Sequence, residues 1–260
     1  MNSITSLPQP APRCRVQNFV NIGSSESYSV EKEQIIRSMV RKSPDCEAVC
    51  DVVEALSAYP KEALERVRDY GTKLEIYDHD GGEEFPNYMP TLAHPQVVGA
   101  YNTAANVLGI EDDNLSPFVL LHEFAHALDA SLGNVSEQPH WKGGHKVAST
   151  TNQVVRDYAK HDPSEYLAEN TAAYLVADEA LYPLVEKGFQ ENLATAGLTE
   201  HEYMRMHQNY CKGRLERVDP IGFQLVDQLL NTIEETPKVA ALQAMNEEQF
   251  ADWLVKRQAA

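Results

Sequence analysis

No stretch of the chain reaches the ~18 consecutive apolar residues that a membrane-spanning helix requires, so no helical span is expected. Met1 to Ser29 also lacks the hydrophobic core of a cleavable signal peptide. It is rich in Ser, Pro, Gln and Asn, and reads as a disordered segment that either frays or serves as an uncleaved signal for a dedicated export machine. Cysteine is sparse, with four in 260 residues: Cys14, Cys46, Cys50 and Cys211. Cys46 and Cys50 stand four apart in a predicted helix, a poor geometry for a mutual disulfide, and no paired Cys-x-x-Cys zinc site is present. The four are therefore expected as reduced thiols of a cytosolic-type protein. Positive charge is in deficit, with 22 Lys and Arg against 39 Asp and Glu and a net charge of −17. That balance argues against nucleic acid and against anionic membrane surfaces as partners.

What remains is an ordinary soluble composition, 43% apolar and 23% charged, in a chain long enough to bury a sizeable core. Helical periodicity covers residues 30–42, 44–58 and 60–70, the last two ended by Pro60 and Gly71. These form an N-terminal helical layer over 30–71. The pattern then alternates. Lys73–Tyr77, Val97–Tyr101 and Asn106–Ile110 read as three short strands, with a polar loop between the first two. A helix follows over Ser116–Leu132, then a polar segment, 134–150, that reads as a loop. From residue 151 onward the pattern is helical: 151–160, 163–177, 179–190, 199–213, 220–234 and 245–258. The organisation expected is a core over 72–190 with a C-terminal helical segment, 191–260, packed on it.

The helix at 116–132 carries the chemistry. It contains His122-Glu123-Phe124-Ala125-His126. Two histidines at i and i+4 lie on one helical face a turn apart, where they can share one Zn²⁺, with the intervening glutamate beside a metal-bound water. Asn114 or Ser116 suits the N-cap, Pro117 the first turn and Gly133 the exit, while Phe118, Leu121, Phe124, Ala125 and Leu128 supply an apolar surface. A buried helix with two histidines and a glutamate side by side is costly unless a cation joins them.

A catalytic zinc needs a third protein ligand and an open position. The extended pattern with a third histidine six residues after the second fails, because position 132 is Leu. His140 and His145 lie in the expected loop and are candidates. Asp129 shares the histidine face one turn further on and better suits a hydrogen-bond acceptor for an imidazole N–H. Glu165, in Asp162-Pro163-Ser164-Glu165, is a further candidate, although its place three residues after the N-cap equally suits a capping box. Glu169, one turn beyond, has no capping role and is an odd carboxylate to bury unless it meets a cation or a histidine.

The run His122 to Asp129, followed by Tyr158-x6-Glu165-x3-Glu169, resembles the catalytic domain of anthrax lethal factor and its relatives, the bacterial Pro-Pro endopeptidases among them. The Mlc titration factor peptidases share a similar motif and are close competitors. The resemblance spans roughly residues 72–180. It implies an α+β, mostly helical, zincin-like metallopeptidase with a small sheet before the active-site helix. It further implies one Zn²⁺ per chain held by His122, His126 and Glu165, with Glu123 as general base and Tyr158 pointing into the site. Asp129 and Glu169 are expected to orient the histidines, and His145 or His140 to offer a further donor. The strand at Val98, Gly99 and Ala100 is expected to border the cleft and pair with an extended protein or peptide substrate. An endopeptidase, either a housekeeping enzyme or a toxin or effector delivered into another cell, an aminopeptidase of the titration-factor kind and an inactive zinc-binding module that recognises a protein partner all remain open readings.

Overall fold

A computed structural model describes residues 29–78, 99–111, 117–176 and 211–233. Among them are eight α-helices and one four-stranded sheet. Helix α1 (Val30–Met39) starts where Ser29 accepts a hydrogen bond from Lys32 N, and α2 (Cys46–Leu56) where Asp45 accepts one from Ala48 N. Helix α3 (Lys61–Asp69) ends at Gly71, whose φ of +91° needs a residue without Cβ. Residues 40–42 leave the expected first helix and form strand β1 (Val40–Lys42). Lying beside β2, this end of the expected helix gains a ladder that the helical pattern gave no hint of.

Strands β2 (Lys73–Tyr77), β3 (Gly99–Asn102) and β4 (Val107–Glu111) follow. The sheet order is β1-β2-β4-β3. The pairs β1–β2 and β2–β4 are parallel, and β3 closes the edge antiparallel to β4 with Tyr101 opposite Leu108. Val97 and Val98 lie outside the described residues. Leu74, Ile76, Leu108 and Ile110 face a core that also takes in α4 (Pro117–Ser131).

Helix α4 is almost wholly enclosed. Leu120, Leu121, Phe124, Ala125, Ala127 and Leu128 are each fully buried. Tyr59 fastens the N-terminal layer to it, donating its hydroxyl to Leu121 O at 2.6 Å and stacking its ring 4.7 Å from that of Phe124. Gly133 and Asn134, both at positive φ, turn the chain out of α4, as expected of Gly133. The expected caps Asn114 and Ser116 lie outside the described residues.

Two expectations for the next segment are overturned. Residues 134–150 are not a loop: after a 3-10 turn at Val135–Glu137 they form α5 (Pro139–Thr151). Pro139 stands at the start of this helix, where its missing N–H costs nothing, and Gly144 is a packing glycine. A Cβ there would meet Leu225 Cδ1 at 2.8 Å. Nor are residues 151–160 helical. Asn152 takes the left-handed conformation and stops α5, and only Asp157–Lys160 coil again, as a 3-10 turn.

Helix α6 (Pro163–Leu175) begins at Asp162, whose carboxylate accepts from Ser164 N and Glu165 N. It runs against α4, and α7 (Lys212–Val218) and α8 (Pro220–Asn231) also pack on it. The helices expected over 179–190 and 245–258 lie outside the described residues, as does nearly all of that over 199–213; α7 begins at its end and was not foreseen. Asp219 caps α8 at Gly222 N and accepts from Asn170 of α6. Cys46 and Cys211 keep their thiols, but Cys50 is disulfide-bonded, against the expectation of four reduced thiols. The spacing argument excluded only a bond between Cys46 and Cys50.

Candidate metal centre

Helices α4 and α6 cross so that the histidine face of the first meets the start of the second. His122 Nε2 and His126 Nε2 are 3.2 Å apart. Glu165 Oε2 lies 3.1 Å from the first and 3.4 Å from the second. Ligand atoms held about 2.0–2.1 Å from a tetrahedral Zn²⁺ stand about 3.3 Å from one another, so this triangle already has the size of one face of such a shell. His122, His126 and Glu165 are the one group among the described residues whose donor atoms converge closely enough to hold a metal ion. Two imidazoles and a carboxylate, with Glu165 Oε2 buried and lacking a hydrogen bond, are a donor set suited to zinc.

The electrostatics agree with the geometry. Burial pushes the Glu165 carboxyl up, but the imidazoles of His122 and His126 outweigh it and hold the group below the usual carboxylate range. Burial likewise pulls His126 down, while Glu165, Glu123 and Asp129 together raise it. The centre is thus a partly buried nest of negative charge facing two rings, an arrangement that a divalent cation would satisfy.

Helix α6 also reaches behind both rings. Glu169 Oε1 lies 3.4 Å from His122 Nδ1, and Ser164 Oγ lies 3.0 Å from His126 Nδ1. Glu169 therefore stands where it can orient a histidine; burial raises its carboxyl. Ser164 was missed by sequence reasoning. Its signal was only adjacency to Glu165 in the first turn, where a serine reads as part of the cap.

Asp129 hydrogen-bonds to the chain beyond α4. Its carboxylate accepts from Ser136 N at 2.8 Å and Ser136 Oγ at 2.6 Å. The helix turns out at Gly133 and brings Ser136 back under Asp129, so the aspartate ties the exit of α4 to the 3-10 turn. The histidines of α5 have neighbours in the fold around them. His145 Nε2 faces Lys160 O at 3.2 Å and its ring packs on Tyr166, while His140 is buried beside Trp141.

Tyr158 stands at the rim, about half exposed. Its hydroxyl donates to Glu165 Oε1 at 3.3 Å, and its ring centroid is 6.1 Å from that of His122. Burial and the Glu165 carboxylate push its phenol up to about 12. Glu123 turns toward the sheet edge, where Oε2 accepts from Tyr101 N at 2.9 Å. Gly99, on the same edge strand, lies against α4: a Cβ there would meet Val119 Cγ1 at 2.8 Å and Glu123 Cγ at 3.3 Å. Gly99 and Ala100 are thus on the strand bordering the motif helix, and Val98 lies outside the described residues.

The fold has a known counterpart. The solved Pro-Pro endopeptidase of Paenibacillus alvei superposes on the chain with a TM-score of 0.51 at 15% identity, covering 75% of this chain and 99% of that one. No family model and no curated protein matches the chain. The likeness establishes an α+β fold shared with a peptidase, and the His-His-Glu cluster is this chain's own observation. No described helix is long and apolar enough to cross a membrane.

Proposed function

We propose that the protein is a zinc-dependent endopeptidase of the lethal-factor and Pro-Pro endopeptidase kind, acting on a protein or peptide substrate. The observation that carries the reading is the triangle of His122 Nε2, His126 Nε2 and Glu165 Oε2, with Tyr158 bonded to Glu165 and Glu123 between the two histidines on α4. Zn²⁺ held by those three residues would supply an acidified water and a polarised carbonyl.

The chain's own groups do the rest. The outer edge of β3 offers main-chain groups to an extended peptide and lays it along α4. Glu123 takes the proton of the attacking water and returns it to the leaving amine, becoming free for the next cycle. Tyr158 holds its proton up to about pH 12, so it is a donor at neutral pH and can bond the oxyanion that forms on the carbonyl oxygen. Glu169 and Ser164 keep the two rings turned so that each Nε2 faces inward.

The test is elemental analysis followed by a cleavage screen. Wild type should bind one zinc per chain, and His122→Ala and Glu165→Ala should bind far less. Mass spectrometry of a peptide library that includes Pro-Pro sequences should then reveal internal cuts by wild type and none by Glu123→Gln. Cuts confined to free N-terminal residues would move the assignment to an aminopeptidase. Zinc binding without cleavage of any peptide would leave a binding module.

A further inference from the structure

Glu169 is 1% exposed, in the second turn of α6, and a carboxylate so placed needs a cationic or hydrogen-bonding partner. Its Oε1 has two close neighbours. One is His122 Nδ1 at 3.4 Å. The other is Arg156 Nη1 at 3.3 Å, from the segment between α5 and α6. A single oxygen is thus shared between the back of a metal-facing ring and a guanidinium. Arg156 also immediately precedes the 3-10 turn Asp157–Lys160 and stands two residues before Tyr158.

We infer that Arg156 is a positioning residue of the centre, acting through Glu169 to fix the ring of His122. The inference rests on the zinc reading above. Glu169 alone could rotate about its own side chain, because its contact to His122 is long. A guanidinium anchored on an extended backbone restricts that freedom and compensates the buried charge in the same contact. The side chain of Arg156 comes in from solvent, 42% exposed, so its removal opens no cavity in the core. The same contact ties the segment bearing Tyr158 to the helix bearing Glu165, so both sides of the centre share one anchor.

The experiment is zinc titration of the metal-free full-length protein against a chromophoric chelator, for wild type, Arg156→Gln, Arg156→Lys, Glu169→Gln and the double variant Arg156→Gln with Glu169→Gln. Thermal unfolding of the metal-free proteins runs alongside. Arg156→Gln should weaken zinc binding roughly tenfold or more, within the range usual for groups that support a metal ligand from behind. Arg156→Lys, which keeps the charge, should recover much of the loss. Because Arg156 acts through Glu169, the double variant should bind zinc no more weakly than Glu169→Gln. Wild-type affinity in Arg156→Gln, or losses that add in the double variant, would overturn the inference and leave the zinc reading intact. A lower melting temperature without a change in affinity would reduce Arg156 to a structural tie. Failure of the wild type to bind zinc would overturn the zinc reading and this inference together.

Discussion

Ser164 Oγ sits 3.0 Å from Nδ1 of His126, while Nε2 of the same ring faces Glu165 Oε2 at 3.4 Å. For Nε2 to present a lone pair inward, the ring proton must be on Nδ1, and the serine oxygen is there to accept it. Ser164→Ala should therefore weaken zinc binding, by about tenfold, with a change of only about 1 kcal/mol in the stability of the metal-free protein. Chelator competition and denaturant unfolding measure the two quantities separately. Unchanged affinity would show that the ring is held by packing alone.

Gly99 sets the distance between the edge strand and α4. An added methyl would come within 2.8 Å of Val119 Cγ1 and 3.3 Å of Glu123 Cγ, so either the strand or the helix must shift. Gly99→Ala should destabilise the protein by about 1–3 kcal/mol, the usual cost of overpacking. It should also lower turnover more than zinc content, because the strand that moves carries the Tyr101 N–H bound to Glu123. Thermal unfolding, elemental analysis and peptide cleavage on the same preparation decide it. Zinc lost in proportion to activity would point to general damage at the centre.

Tyr158 meets the centre through its hydroxyl, 3.3 Å from Glu165 Oε1, and through its ring, whose centroid is 6.1 Å from that of His122. Tyr158→Phe keeps the ring and removes the donor. Turnover should fall about 10²–10³-fold, the usual loss for one oxyanion donor, while zinc content stays at the wild-type level. A fall in zinc content of similar size would make Tyr158 a prop for Glu165 instead.

The motif helix was legible because each of its signals agreed. His122 and His126 at i and i+4, an apolar surface around them and Gly133 at the exit all demanded one buried helix with one polar face. Asp162 and Pro163 marked the start of α6 equally well. The misreadings came where a residue's local habit and its tertiary role part. Gly143 and Gly144 look like loop residues, yet Gly144 allows α5 to press on Leu225, a contact with no sequence signature. Asp129 shares the histidine face, but the chain folds back at Gly133 and supplies Ser136 as a nearer partner. Arg156 and Tyr101 act through an ion pair and a main-chain N–H that only the packing of α6 and β3 against α4 brings into range.

His140 provides a test of the fold away from the metal. It lies in the first turn of α5, 6% exposed, and burial pushes its imidazole from the ordinary 6.5 down to about 4. The unfolded chain therefore takes up a proton near pH 6.5 that the folded chain refuses until about pH 4. The stability associated with a neutral His140 is complete above the unfolded value and is lost as pH falls toward the folded one. Over that window the loss amounts to about 3 kcal/mol. His140→Gln removes the titration but not the carboxylates that titrate over the same range. Hence the difference between wild type and variant, rather than either curve alone, should shift by about that amount between pH 7 and pH 4. Urea unfolding of the metal-free proteins at a series of pH values measures it, and metal-free protein keeps zinc release out of the comparison. Parallel curves would mean that the imidazole is charged inside the fold, which its burial beside Trp141 leaves no room for unless α5 opens first.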